Sequence, residues 1–105
     1  MLDARVTRYA KKTDANHSEI RDGLKALGWT VWDTSGIGQG VPDLFVRLGP
    51  GKSLGLEIKR ADIKKAEQAM TAAEEVWWSY HWRSTRVIQT LAEAHEQATH
   101  AKEHQ

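Results

Sequence analysis

Asp43, Glu57 and Lys59 are the residues of this chain best suited to chemistry, because each sits on or beside a short apolar strand that has no packing use for a charge. The first strand follows Gly40 as Val-Pro-Asp-Leu-Phe-Val, Gly49-Pro50-Gly51 makes a turn, and the second runs from Leu54 as Leu-Gly-Leu-Glu-Ile-Lys. Residues two apart on a strand share a face, so Glu57 and Lys59 project together while Leu54, Leu56 and Ile58 point into a core. Asp43 opens the neighbouring strand. Two carboxylates and an ammonium beside a glycine-rich loop can hold a divalent cation and steady an anionic nucleophile. Mg²⁺ typically takes one or two carboxylates and leaves its other positions to water and phosphate. Asp43 and Glu57 would supply that pair, with the backbone carbonyl of Ile58 as a third ligand. Lys59 could orient an attacking water or offset the charge that builds at phosphorus. The competing reading is an exposed Glu57–Lys59 ion pair. Pro42, which fixes the backbone before Asp43, and the apolar anchor of the second strand weigh against it.

Other candidates are weaker. Glu19 lies at the edge of a helical stripe and could overhang the sheet, or simply cap its helix with Asn16. His17 is close to Glu19 and could touch a substrate. His100 and His104 are one helical turn apart, but no third metal ligand accompanies them, and a solvated tail is the simpler reading. Gly51-Lys52-Ser53 is not a phosphate loop of the Walker type, which needs a glycine where Val46 stands and a helix where a strand follows. Gly36, Gly38 and Gly40 are better suited to close approach between the backbone and a ligand. Trp77 fits a core face, while Trp78 and Trp82 share another face and suit a dimer contact or base stacking.

The elements that would position these residues can be read from pattern. A basic lead-in spans 1–13. Asp14 or Asn16 caps a helix to about Leu27, with Ile20, Leu24 and Leu27 as its stripe, Asn16 and Glu19 at capping-box spacing, and Gly28 as the stop. Trp29 to Asp33 alternates as a strand, and 35–40 is a loop. After the two central strands, 61–65 is a loop or helix start. Ala66, Ala69, Met70, Ala73, Trp77 and Tyr80 recur at helical spacing towards Trp82, and Thr71 with Glu74 offers a capping box and hence a break. Arg86 to Gln89 forms a last strand. Thr90 and Glu93 could cap a closing helix, with 95–105 as a frayed tail. Helix, three strands, helix, strand, helix describes an α/β domain with a mixed sheet flanked by helices.

The 105 residues suit a single domain spanning 1–105, and 40% hydrophobic content with five tryptophans supports one core. No window has the apolar length of a transmembrane helix, and the first residues carry no signal-peptide core. The absence of cysteine excludes a thiolate metal site and fits a cytoplasmic location. A net charge of +1 says little about partners, but its distribution says more. Arg5, Arg8, Lys11 and Lys12 precede the first helix, and Arg60, Lys64 and Lys65 follow Lys59. Basic groups around a carboxylate site suit a polyanionic substrate, with a solvated charged surface as the alternative.

With Glu19, the glycine loop, Pro42-Asp43 and Glu57-Ile58-Lys59 in place, the chain resembles the virus-type replication-repair nuclease (VRR-NUC) family of the PD-(D/E)xK superfamily. The resemblance covers about Lys12 to Ala94 and includes Asp14-Ala15-Asn16, Asp33-Thr34-Ser35 and Gly40-Val41-Pro42-Asp43-Leu44, which are similar to phage and prophage members. It implies a restriction-endonuclease-like αβββαβ core, with Asp43 and Glu57 as metal ligands, Lys59 as the catalytic lysine and Glu19 as the helix-borne acid, itself a further metal-ligand candidate. Ser35, Gly36 and Gly38 join the basic residues as the expected DNA contacts. Family members commonly carry a glutamine on the following helix; Glu75 falls at that position here, with Gln68 several residues early. The activity implied is Mg²⁺- or Mn²⁺-dependent endonucleolytic cleavage of DNA by a homodimer, on branched substrates such as four-way (Holliday) junctions. The alternatives are a non-catalytic DNA-binding module and a monomeric flap or nicking nuclease.

Overall fold

The computed structural model describes residues 15–59 and 70–104. The expected basic lead-in, the contacts expected of Arg5, Arg8, Lys11, Lys12, Arg60, Lys64 and Lys65, and Gln68 all lie outside the described residues. In chain order the elements are α1 (Ala15–Ala26), β1 (Val31–Asp33), β2 (Leu44–Gly49), β3 (Lys52–Ile58), α2 (Ala72–His81), a 3₁₀ turn (Trp82–Ser84), β4 (Thr85–Ile88) and α3 (Leu91–Glu103). The expected order of a helix, three strands, a helix, a strand and a helix is therefore present. The strands form one mixed sheet in the order β1-β2-β3-β4; the first three are antiparallel neighbours and β4 runs parallel to β3. Two antiparallel strands can be joined by a tight turn, whereas a parallel pair needs a long crossover. Here α2 belongs to that crossover.

Apolar alternation decides which face of the sheet holds the core. Leu44 and Val46 of β2, Leu54 and Leu56 of β3 and Ile88 of β4 pack against Ile20 and Leu24 of α1 and Ala94 and Ala98 of α3. Complete burial of each large aliphatic side chain contributes about 1.5–3 kcal/mol. Register keeps these residues on one face, since Val46 pairs with Leu54 and Leu44 with Leu56. The next step along both strands brings Asp43 and Glu57 side by side on the opposite face, the one that α2 covers.

Helix ends follow local chemistry, and some differ from expectation. Helix α1 stops at Ala26 in a Schellman motif: Trp29 N–H donates to Leu24 O and Gly28 N–H to Lys25 O, both at 3.0 Å. Gly28 takes the left-handed conformation that this motif requires, with φ +98°. Leu27, expected in the buried stripe, lies past the last turn and is 52% exposed. The Asn16–Glu19 capping box does not form. Asn16 already lies inside α1, and its Nδ2 reaches Gln89 O at 3.4 Å. By contrast, Thr71 and Glu74 form a reciprocal capping box that starts α2 at Ala72. Of the helix expected from about Lys64 to Trp82, the described part starts at Ala72, and residues 60–69 lie outside the described residues. Helix α2 buries no residue fully, and Tyr80, expected on its inward stripe, is 80% exposed. Trp77 faces the sheet edge-on to Phe45, on the side away from the main core, with its indole N–H on Thr85 Oγ1 at 3.2 Å. Helix α3 continues to Glu103 where a frayed tail was expected, because Ala94, Ala98 and Ala101 pack against the core.

Candidate active site

Asp43 is held from several directions. Thr34 N–H donates to Asp43 O at 2.9 Å, and the Thr34 hydroxyl donates to Pro42 O at 2.6 Å. Pro42 is fully buried, and the absence of a side chain at Gly55 leaves room for its ring. The carboxylate accepts the Ile58 N–H at 2.9 Å through Oδ2. An extended residue sends its N–H and C=O to the same strand edge. Ile58 therefore offers its carbonyl along the edge that Asp43 occupies, while Lys59 N–H pairs with Ile88 O on the other side.

Glu57 and Lys59 project together, as their spacing requires. Lys59 Nζ lies 3.4 Å from Glu57 Oε2 and 3.5 Å from Glu74 Oε1. Both partners lie deeper than a surface pair: Glu57 is only 8% exposed. Burial, reinforced by the neighbouring Asp43 carboxylate and by proton sharing with Glu74, pushes the Glu57 carboxyl up to about 8. Burial also raises Asp43, although the Ile58 N–H and nearby His17 and Lys59 oppose it. Partial burial works on Glu74 in the same sense. There the Thr71 N–H, the shared proton and Lys59 prevail, and Glu74 is held below the usual carboxylate range. The shared proton thus resides on Glu57, and Glu74 carries the charge that faces Lys59.

A second network flanks this cluster. His17, 4% exposed, places Nε2 at 3.2 Å from Asp33 Oδ2, and Arg21 Nη1 reaches the same oxygen at 3.0 Å. Asp33 Oδ1 accepts from the Ser35 hydroxyl at 2.7 Å and from Ser35 N–H at 3.1 Å. Burial alone would raise Asp33; Ser35, Arg21 and His17 together hold it far below the usual carboxylate range. The same β1 end thus anchors both the His17 network and, through Thr34, the backbone of Asp43.

The structure therefore brings Asp43, Glu57, Lys59 and the Ile58 backbone together. Glu19, the expected helix-borne acid, is exposed on α1, and its neighbour His17 turns inward instead. Glu75 is also exposed; Glu74, one residue earlier, occupies the position beside the lysine. Glu74 was not among the expected site residues and His17 was expected only as a possible substrate contact, yet a sequence signal existed for both. His17 continues the Ile20–Leu24 stripe by one helical turn, and Glu74 is the first-turn partner of Thr71 in the capping box. Ser35 serves Asp33. Gly36 and Gly38 have open space where a Cβ would stand. Gly40, expected to admit a ligand backbone, instead admits the protein's own α2: a Cβ there would run into the Ala73 carbonyl.

The donor set suits a hard cation. Burial holds the Asp43 and Glu57 carboxyls above their usual range even with the Lys59 ammonium beside them, and the Ile58 carbonyl adds a neutral oxygen. Among the described residues no group of three or more His, Cys, Asp or Glu side chains converges as a metal centre. Coordination there would be completed by water and substrate oxygen. No helix among the described residues is long and apolar enough to cross a membrane. No family model, no curated protein and no solved structure matches this chain.

Proposed function

We propose that this protein is a metal-dependent endonuclease that hydrolyses phosphodiester bonds in DNA. The observation that carries the reading is the convergence of Asp43, Glu57 and Lys59 on one sheet face, with Lys59 3.4 Å from Glu57 and Asp43 fixed by the Ile58 N–H. The element order agrees with the αβββαβ core that the VRR-NUC resemblance implies.

Asp43, Glu57 and the Ile58 carbonyl would hold Mg²⁺ or Mn²⁺, which supplies Lewis-acid activation of water and phosphoryl oxygen when bound. Lys59 is placed to orient the attacking water and to offset charge on the phosphoryl oxygens as the P–O bond breaks. Glu74 holds the ammonium in position from the helix side. Glu57 would have to release its proton for a cation to be held there, since the two compete for the same oxygens.

The substrate reading is branched DNA, four-way junctions in particular, cut by a two-fold homodimer whose two sites match the symmetry of the junction. Trp78 and Trp82 are the proposed part of the dimer contact. Trp82 is 52% exposed, and both tryptophans line a cleft of about 650 Å³ beside Val87 of the edge strand β4.

The test is incubation of purified protein with branched and linear DNA in Mn²⁺ or in EDTA. Metal-dependent products that disappear in Asp43→Ala and Lys59→Ala, with binding retained, are expected. No product on any substrate would leave a non-catalytic DNA-binding module. Light scattering tests the dimer, and a strict monomer both free and on DNA would point to flap or nicking activity.

A further inference from the structure

Far from the carboxylates, at the start of β3, lies a cleft of about 520 Å³ whose described lining is basic. Lys52, Arg83, Arg86, His100 and His104 face it, the hydroxyls of Ser53 and Ser84 join them, and no described lining residue is a carboxylate. Five strand steps separate Lys52 from Glu57, a span of about 16 Å. The cleft also opens on the side of the sheet that packs α3, whereas the carboxylate cluster lies under α2. It is a separate site.

Its two guanidinium groups are held in place without being neutralised. Arg86 Nη1 donates to the carbonyls of Arg83 and Thr85, both at 3.0 Å, which fixes the guanidinium against the 3₁₀ turn. Arg83 lies over the Trp82 ring, 5.0 Å from its centroid. His100 and His104 stack with their ring centroids 4.2 Å apart at the end of α3. Among the described residues, none of Lys52, Arg83 or Arg86 makes an ion pair with a carboxylate. Like charges gathered this way repel unless an anion joins them, and a planar guanidinium with nearby hydroxyls matches phosphate oxygens.

We propose that this cleft is a phosphate-binding site distinct from the carboxylate cluster. Its phosphate belongs either to a nucleic-acid backbone outside the point of cleavage or to a free phosphorylated compound. The nucleic-acid source rests on the proposed function; the pocket itself does not.

Inorganic phosphate titrated into ¹⁵N-labelled protein in EDTA should shift the amides of 51–54 and 83–86 and the imidazole signals of His100 and His104. The exposed double substitution Lys52→Gln with Arg83→Gln should abolish those shifts while leaving the remaining spectrum in place. The same variant separates the two sources when junction DNA is bound in EDTA. A slope of log K against log salt that is shallower by about 1–2 identifies a DNA backbone phosphate. An unchanged salt dependence with the phosphate shifts lost identifies a free phosphorylated ligand. Absence of shifts at these positions in the wild type, or identical shifts in the double variant, would overturn the site. Failure to cut DNA leaves the phosphate titration intact, so it bears on the proposed function alone.

Discussion

Glu74 ties the start of α2 to Lys59 through a single oxygen. Its Oε1 accepts the Thr71 N–H at 3.0 Å and lies 3.5 Å from Lys59 Nζ. The capping box that begins the helix therefore also sets where the ammonium stands. Glu74→Ala should lower stability by about 1 kcal/mol in urea denaturation, the usual cost of a lost cap. Glu74→Gln keeps an acceptor for Thr71 and should recover most of that loss, but it removes the charge that restrains Lys59. Equal stability of the alanine variant and wild type would show that the box is energetically idle.

Glu57 should make the metal-free protein less stable as pH rises. Its folded carboxyl is raised from the ordinary 4.5 to about 8. The folded state therefore holds the proton more tightly than the unfolded chain. That contribution is complete below about 4.5 and is lost as pH climbs through about 8. Thermal unfolding in EDTA should show this slope, and Glu57→Gln should flatten it. Adding Mg²⁺ or Mn²⁺ should raise the melting temperature more at pH 8 than at pH 6, because at lower pH the cation must displace a proton. A cation effect independent of pH would argue against Glu57 as a ligand.

Asp33 acts in the opposite sense. Its folded carboxyl is held below the ordinary 3.8, so it contributes stability above that value. That stability is lost as pH falls through the lower folded value. Asp33→Asn should therefore destabilise at neutral pH and approach wild type in strong acid, as read by circular dichroism across an acid titration.

Gly40 and Gly36 lie in the same loop and should respond differently to alanine. Gly40 has φ +84°, and a Cβ there would strike the Ala73 carbonyl. Gly40→Ala should cost about 1–3 kcal/mol or more and displace α2 from the site. Gly36 has open space and no such backbone conformation, so Gly36→Ala should stay within about 0.5 kcal/mol. Comparable losses at both positions would mean that the loop, and not the helix contact, limits stability.

His17→Ala should reduce DNA cleavage more than Glu19→Gln. His17 is buried against Asp33, in the network that shares the β1 end with the Asp43 anchor, whereas Glu19 faces outward. Single-turnover rates on junction DNA would rank the two. A larger loss for Glu19→Gln would restore the helix-borne acid that the resemblance implies.

Strand alternation alone set Leu54, Leu56 and Ile58 against Glu57 and Lys59, because a period of two leaves no choice of face once one face is apolar. The glycine after Leu27 and the Thr71–Glu74 spacing likewise marked helix ends correctly, since those motifs close within four or five residues. The extent of burial could not be read this way. Leu27 and Tyr80 match the apolar spacing of their helices, yet both are exposed, because α1 ends one residue before Leu27 and α2 covers the sheet only through its Trp77 side. The choice of Glu74 over Glu75 and of His17 over Glu19 was decided in three dimensions. One residue of helix turns a side chain through about 100°, and only the docking of each helix on the sheet says which of two adjacent residues faces the lysine or Asp33. The pairing of Asp43 with Ile58 and the closeness of Gly40 to Ala73 join residues 15 or more apart in the chain. Both depend on how β2, β3 and α2 pack together, which local spacing does not encode.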